Sequence, residues 1–120
     1  MNREELAWAG GFFSGEGCTI LAHYKPGGHN KKPYPSMHIN HTTVEELKRF
    51  NAALGNRGRI IGPYKPASKL SKKLRYDINL YGYAKVRDTT MELWDFLSTA
   101  KREQACKVLD AYQEYGREVV

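Results

Sequence analysis

Long apolar runs are missing from this sequence. No stretch approaches the roughly 20 residues that a membrane-spanning helix requires, so a membrane protein is not expected. The start shows no charged-then-apolar leader, and a chain kept inside the cell is expected. Cysteine is scarce too, with Cys18 and Cys106 the only two. Two thiols build neither a disulfide framework nor a metal quartet. That suits an intracellular, reducing compartment. Acid is scarce only in part of the chain. Residues 1–17 hold one base and three acids, residues 18–82 twelve and three, and residues 83–120 six and seven. All the positive excess therefore lies in the middle.

The 120 residues suffice for one core and are too few for two ordinary ones, so residues 1–120 are expected to form a single domain. An apolar share of 41%, with 2 Trp, 8 Tyr and 4 Phe, argues for a folded domain and against a basic tail. Scattered lysines are common on solvated surfaces. A net +9 confined to residues 18–82 is more than that: it is the footprint expected for neutralising backbone phosphates.

The order of elements follows from periodicity and punctuation. Asn2 with Glu5 forms a capping-box pattern ahead of Leu6 to Phe13, a helix that Gly15 and Gly17 stop. Gly10 and Gly11 inside it each cost roughly 1 kcal/mol relative to Ala. Ala7 with Gly11, and Gly10 with Ser14, are small residues at helical spacing, a face that lets a second backbone approach. Residues 18–25 and 34–42 read as strands joined by a Gly/Pro/Lys-rich loop. In the second strand Met37 and Ile39 alternate with Ser36, His38 and Asn40. Thr43 and Glu46 form another capping box, opening a helix with Val44, Leu47, Phe50 and Leu54 on one stripe and Gly55 at its end. A third strand covers 57–64. The fourth alternates Leu74, Tyr76, Ile78 and Leu80 with Lys73, Arg75, Asp77 and Asn79, and helices follow near 85–97 and 100–115.

The stretch Ala9-Gly10-Gly11-Phe12-Phe13-Ser14-Gly15-Glu16-Gly17 places one acid between glycines at a helix C-terminus, where the helix dipole disfavours it. Such an acid reads either as a solvated cap or as a ligand for a hard cation, since the helix end also offers free carbonyls. Lys101 and Arg102 fall in the first turn of the last helix, where positive charge opposes the dipole and a nearby phosphate would reverse the penalty.

Residues 9–17 resemble the signature of the LAGLIDADG homing endonucleases, in the variant ending Gly-Glu-Gly. The element order, the basic strands and the tract Trp94 to Ala105 extend the likeness to single-motif members over most of the chain. The resemblance implies an α+β fold of order αββαββα, a four-stranded antiparallel saddle backed by helices and lying in the major groove. It implies a homodimer cutting both strands of a near-palindromic double-stranded DNA site, in the setting of intron or intein mobility, with no membrane or small-molecule substrate involved. Signature helices of two subunits pack together, here through Ala7, Gly10, Gly11 and Ser14. Glu16 becomes the catalytic metal ligand with the Gly15 carbonyl beside it. Mg2+ is the expected cofactor, with Mn2+ substituting and Ca2+ binding without supporting cleavage. Lys101 matches the basic residue beside the scissile phosphate, with Arg102 the alternative one register away. His41, at the end of the second strand, is expected to organise pocket water; donation to the following cap is the other reading. Ser14 stands where many members carry an acid, and Ala9 where many carry Leu.

For DNA, Arg75, Asp77, Asn79 and Lys73, with Ser36, His38 and Asn40, suit groove edges. Arg57, Arg59, Lys31, Lys32, Lys65, Lys69 and Lys72 suit phosphate. In the first strand polarity favours Thr19, His23 and Lys25 toward DNA, whereas counting from the motif favours Cys18, Ile20, Ala22 and Tyr24. His38, His41 and Cys18 as zinc ligands match no standard spacing. A non-cleaving DNA-binding regulator, an RNA-splicing maturase of the same fold and an unrelated basic RNA-binding domain are the rival functions; an acid and a lysine together favour the nuclease.

Overall fold

The computed structural model describes residues 2–23, 32–65 and 73–118, without the side chains of 117 and 118. The elements are α1 (Arg3–Glu16), β1 (Gly17–Ala22), β2 (Tyr34–His41), α2 (Val44–Ala53), β3 (Arg59–Tyr64), β4 (Arg75–Tyr81), α3 (Tyr83–Leu93), a 3-10 turn (Trp94–Phe96) and α4 (Thr99–Glu118). The four strands form one sheet in the order β1-β2-β4-β3, every neighbouring pair antiparallel. This is the α+β arrangement expected from the residue pattern, with the fourth helix closing the chain.

Alternation divides the sheet. Met37, Ile39, Ile78 and Leu80 turn to one side and are buried. There they meet Phe13 of α1, Leu47 and Phe50 of α2, and Val86 and Leu93 of α3 in one apolar cluster. Phe50 joins the first two helices, stacked on Phe13 at 6.2 Å and tilted against Phe12 at 6.2 Å. Replacing such a fully buried ring with Ala costs about 3–5 kcal/mol, because the cavity adds to the lost transfer energy.

Local signals are met with two changes. The Asn2 side chain accepts the Glu5 N–H at 3.1 Å, a true cap, but the Glu5 carboxylate turns to Arg49. At α2 no Thr43 side-chain cap forms; the Thr43 N–H instead donates to His41 Nδ1 at 3.0 Å. Gly55, with φ of +67°, occupies the left-handed position just past α2.

Candidate functional site

α1 runs into β1 without a loop, so Glu16 ends the helix and Gly17 begins the strand. A Cβ on Gly17 would lie 2.3 Å from the Phe13 ring, so only glycine lets the strand start this close to the core. Of the two glycines expected to stop the helix, Gly15 lies within it and Gly17 caps it, and Glu16 is left exposed at the junction. Because β1 is a sheet edge, its outward backbone groups need partners. α4 supplies them from residues three apart: Gln104 Oε1 accepts the Thr19 N–H at 2.8 Å, and the Lys101 ammonium donates to the Gly17 carbonyl. This places Lys101 one residue from Glu16. Arg102 points elsewhere, its Nε donating to the Trp94 carbonyl at 2.8 Å with its guanidinium over the Trp94 ring.

The start of α4 is tied to α1. Ser98 Oγ accepts the Lys101 N–H at 3.3 Å, and the Ser98 N–H donates to Ser14 Oγ at 2.9 Å, which itself donates to the Gly10 carbonyl at 2.7 Å. Ser14 thus joins two helices of one chain. A Cβ on Gly10 would sit 2.4 Å from Phe96 Cβ, so Gly10 also serves an internal contact. The face expected to meet a second subunit is corrected accordingly. Gly10 and Ser14 are engaged within the chain, while Gly11, where an added Cβ meets nothing within 4 Å, remains beside half-buried Ala7, and Gly15, not among the residues expected there, is equally open.

As a cation site this corner offers the Glu16 carboxylate and the carbonyls of a helix end, which lack intrahelical donors. Those are hard oxygen donors of the type Mg2+ and Ca2+ take, so the donor chemistry fits. No group of three or more His, Cys, Asp or Glu poised for a metal occurs among the described residues. Zinc is not favoured: Cys18 Sγ lies 3.1 Å from His38 Nε2, but His41 lies at a register position on the opposite face of β2. Burial pushes the Cys18 thiol above its ordinary range, partly offset by the charge of Lys101.

The sheet face away from the helices carries rows of side chains set by strand register. Cys18, His38, Asn79 and Arg59 form one row across all four strands. Asn40, Asp77 and Ile61 form the next, with Arg75 opposite Tyr64 beyond it. Asp77 Oδ1 accepts from Tyr64 Oη at 2.6 Å and from Asn40 Nδ2 at 2.7 Å, and Asn40 Oδ1 accepts from Arg75 at 2.6 Å. Burial and the bond to Asp77 push the Tyr64 phenol above its usual range, leaving it a firm donor. Apolar groups share the face: Ile20 and Ile61 are 39% and 42% exposed.

Several expectations change. His41 shares register with Met37 and Ile39, packs edge-on against Phe12 at 5.4 Å and caps α2, so it belongs to the helix layer. Arg57 is taken from the phosphate set: it donates to Thr89 Oγ1 at 3.1 Å and pairs with Glu92 at 2.7 Å, both on α3. Ser36 is on the open face but 3% exposed, covered between Ile20 and Tyr81, its register neighbours. In β1 the count from the motif wins, since Cys18 meets His38 while Thr19 is buried. His23, which shares the parity of Thr19, lies exposed just past the strand. Lys32 sits over the Tyr112 ring of α4. Lys73, Arg59 and Lys65 are exposed, while Tyr24, Lys25, Lys31, Lys69 and Lys72 lie outside the described residues. Tyr64 and Ile61 went unread in the sequence. Alternation from Arg59 does signal Ile61, but the register shift between Ile61 and Tyr64 breaks the count before Tyr64. An open hollow of about 550 Å³ at the start of α3, lined by Arg57, Tyr81, Tyr83, Lys85 and Asp88, includes neither Glu16 nor Lys101.

This fold recurs in solved structures. A structure of the homing endonuclease I-CvuI in complex with its target in the presence of Ca superimposes with a TM-score of 0.71 at 20% identity, covering 96% of this chain and 71% of that one. The chain has the LAGLIDADG endonuclease fold. The LAGLIDADG homing endonuclease I-GzeII in complex with its DNA target gives 0.66 at 14% identity, covering 91% and 36% of the two chains. The intron-encoded I-CeuI complexed with DNA gives 0.69 at 13%, covering 98% and 57%. This chain thus spans about a third to seven-tenths of the length of those relatives. No protein-family model matches the sequence, and no curated protein matches it. At these identities the LAGLIDADG fold is carried by topology and register, and no described helix is long and apolar enough to cross a membrane.

Proposed function

We propose that the chain is a LAGLIDADG homing endonuclease: a homodimer that binds double-stranded DNA at a near-palindromic site and hydrolyses a phosphodiester bond in each strand with Mg2+. The observation that carries this is the corner where Glu16, exposed at the end of α1, stands one residue from the Gly17 carbonyl that holds Lys101. A protein that only binds DNA has no use for a carboxylate facing its phosphates. The relatives just described are DNA complexes, which supports duplex DNA as the partner.

In this reading Glu16 and the Gly15 carbonyl hold Mg2+, which when bound activates water and neutralises phosphoryl charge. Mn2+ replaces it, and Ca2+ binds without supporting cleavage. Lys101 places an ammonium where negative charge develops on the phosphoryl oxygens, and its tie to the Gly17 carbonyl keeps it preorganised. One carboxylate per chain makes half a centre, so a second copy docks against the Ala7, Gly11 and Gly15 face of α1. The open rows of the sheet then line the major groove. Exposed Arg59, Lys65 and Lys73 lie toward phosphate.

The test is site selection from a randomised duplex library, followed by cleavage of a plasmid bearing the selected site. Binding and cutting are measured separately, because one I-CvuI complex in 2 mM Mg holds DNA that is not cleaved. The wild type is expected to linearise the plasmid with Mg2+. Glu16→Gln and Lys101→Met are each expected to cut at least about 100-fold more slowly, the scale of losing one preorganised electrostatic group, while still binding. Equal cutting by Glu16→Gln overturns the assignment.

A further inference from the structure

Arg75 and Asp77 stand two residues apart on the same face of β4, so their Cα atoms are separated by only about 6.5 Å. An arginine and a carboxylate so placed are expected to pair. They do not: ion pairs form at Arg49–Glu5, Arg57–Glu92 and Arg87–Asp88, and none joins Arg75 to Asp77. Asp77 Oδ1 is instead taken by two neutral donors, the Tyr64 hydroxyl from β3 and the Asn40 amide from β2. With its nitrogen committed to Asp77 and the Tyr64 hydroxyl, Asn40 turns its oxygen toward Arg75, which spends one N–H on it. An arginine has five such donors, so most of the fork stays open. The same geometry removes Asn40 as a two-point reader of adenine, since both ends of its amide are engaged.

We propose that Tyr64 is a specificity-determining positioning residue: by occupying Asp77 together with Asn40 it holds Arg75 out of an ion pair and presents its guanidinium to a guanine in the major groove. This rests on the duplex DNA reading proposed above. Bidentate contact of an arginine fork with guanine O6 and N7 is the commonest specific contact to a base edge. Without the phenol, Asp77 Oδ1 lacks one donor and draws Arg75 down along the strand. The guanine preference then falls while the phosphate grip is untouched. Tyr64 itself touches no base in this arrangement.

The experiment compares wild type, Tyr64→Phe and Arg75→Ala by selection from a randomised duplex library in Ca2+, with the salt dependence of binding and the thermal midpoint measured alongside. Wild type is expected to select guanine at one position of each half-site. Tyr64→Phe and Arg75→Ala are both expected to lose about 10-fold in preference at that same position and no other. Tyr64→Phe should also keep the wild-type salt slope and a midpoint within a few degrees. The proposal is overturned if Tyr64→Phe leaves the selected sequence unchanged, weakens every position uniformly, or alters a position that Arg75→Ala does not. A wild type that selects no duplex sequence overturns the DNA reading itself, an outcome distinct from selection that is indifferent to Tyr64.

Discussion

The imidazole of His41 accepts the Thr43 N–H, a backbone donor that the start of α2 would otherwise leave unpaired. It thereby takes the role that a reciprocating Glu46 would have in a capping box. His41→Ala is expected to cost about 1 kcal/mol, the usual worth of a cap, and to leave the cleavage rate per folded dimer unchanged. Thermal denaturation and single-turnover cleavage read these separately. Glu5 illustrates a second single-residue effect. The Arg49 side-chain bond lowers the Glu5 carboxyl below its ordinary value, and Arg49 also lies over Trp8 at 4.0 Å, clasping α1 to α2. A depressed carboxyl contributes stability that is present above its unfolded value, about 4.3, and is lost as pH falls through the lower folded one. Glu5→Gln should therefore narrow the stability difference between pH 6 and pH 3, as acid-denaturation curves will show.

At the scale of elements, α1 has three duties around one circumference. Phe13 and Ala9 enter the core, Gly10 and Ser14 receive the turn before α4, and Gly11 and Gly15 stay open. Adjacent glycines therefore fail differently. Gly10→Ala drives a methyl into Phe96 and is expected to destabilise the monomer by about 1–3 kcal/mol, visible in chemical denaturation. Gly11→Leu meets nothing in its own chain, so the thermal midpoint of the monomer should hold. Sedimentation should show loss of the dimer, and cleavage should fall with it. Retention of the dimer by Gly11→Leu would remove α1 as the interface.

For the molecule as a whole, charge and topology act together. The net +9 of residues 18–82 includes structural members, Arg57 and Arg49, alongside open ones such as Arg59 and Lys73. Neutralised phosphates make binding fall with salt, by about 0.9 in logarithmic slope for each phosphate. Arg59→Ala should reduce that slope by about 1, the share of a single phosphate. Arg57→Ala should leave the slope unchanged and lower the melting temperature, because it strips partners from Thr89 and Glu92. Titration of binding against salt, paired with melting, separates the two arginines that strand polarity alone had grouped.

The residue pattern by itself determined the element order, the two faces of β2 and β4, and the acid at the end of α1. Each of these is local, arising from side-chain period, glycine punctuation and helix-end chemistry over a few neighbouring residues. Tertiary structure alone decided the rest. Lys101, and not Arg102, lies beside Gly17 because α4 docks on the free edge of β1. Cys18, and not Thr19, faces the open side because the helix gives way to the strand without a loop. Tyr64 meets Asp77 only once β3 and β4 are paired across an irregular register. His41, Arg57, Ser14 and Gly10 changed role for one reason: a polar or small residue is spent on whichever neighbour the packing brings, and sequence spacing does not name that neighbour.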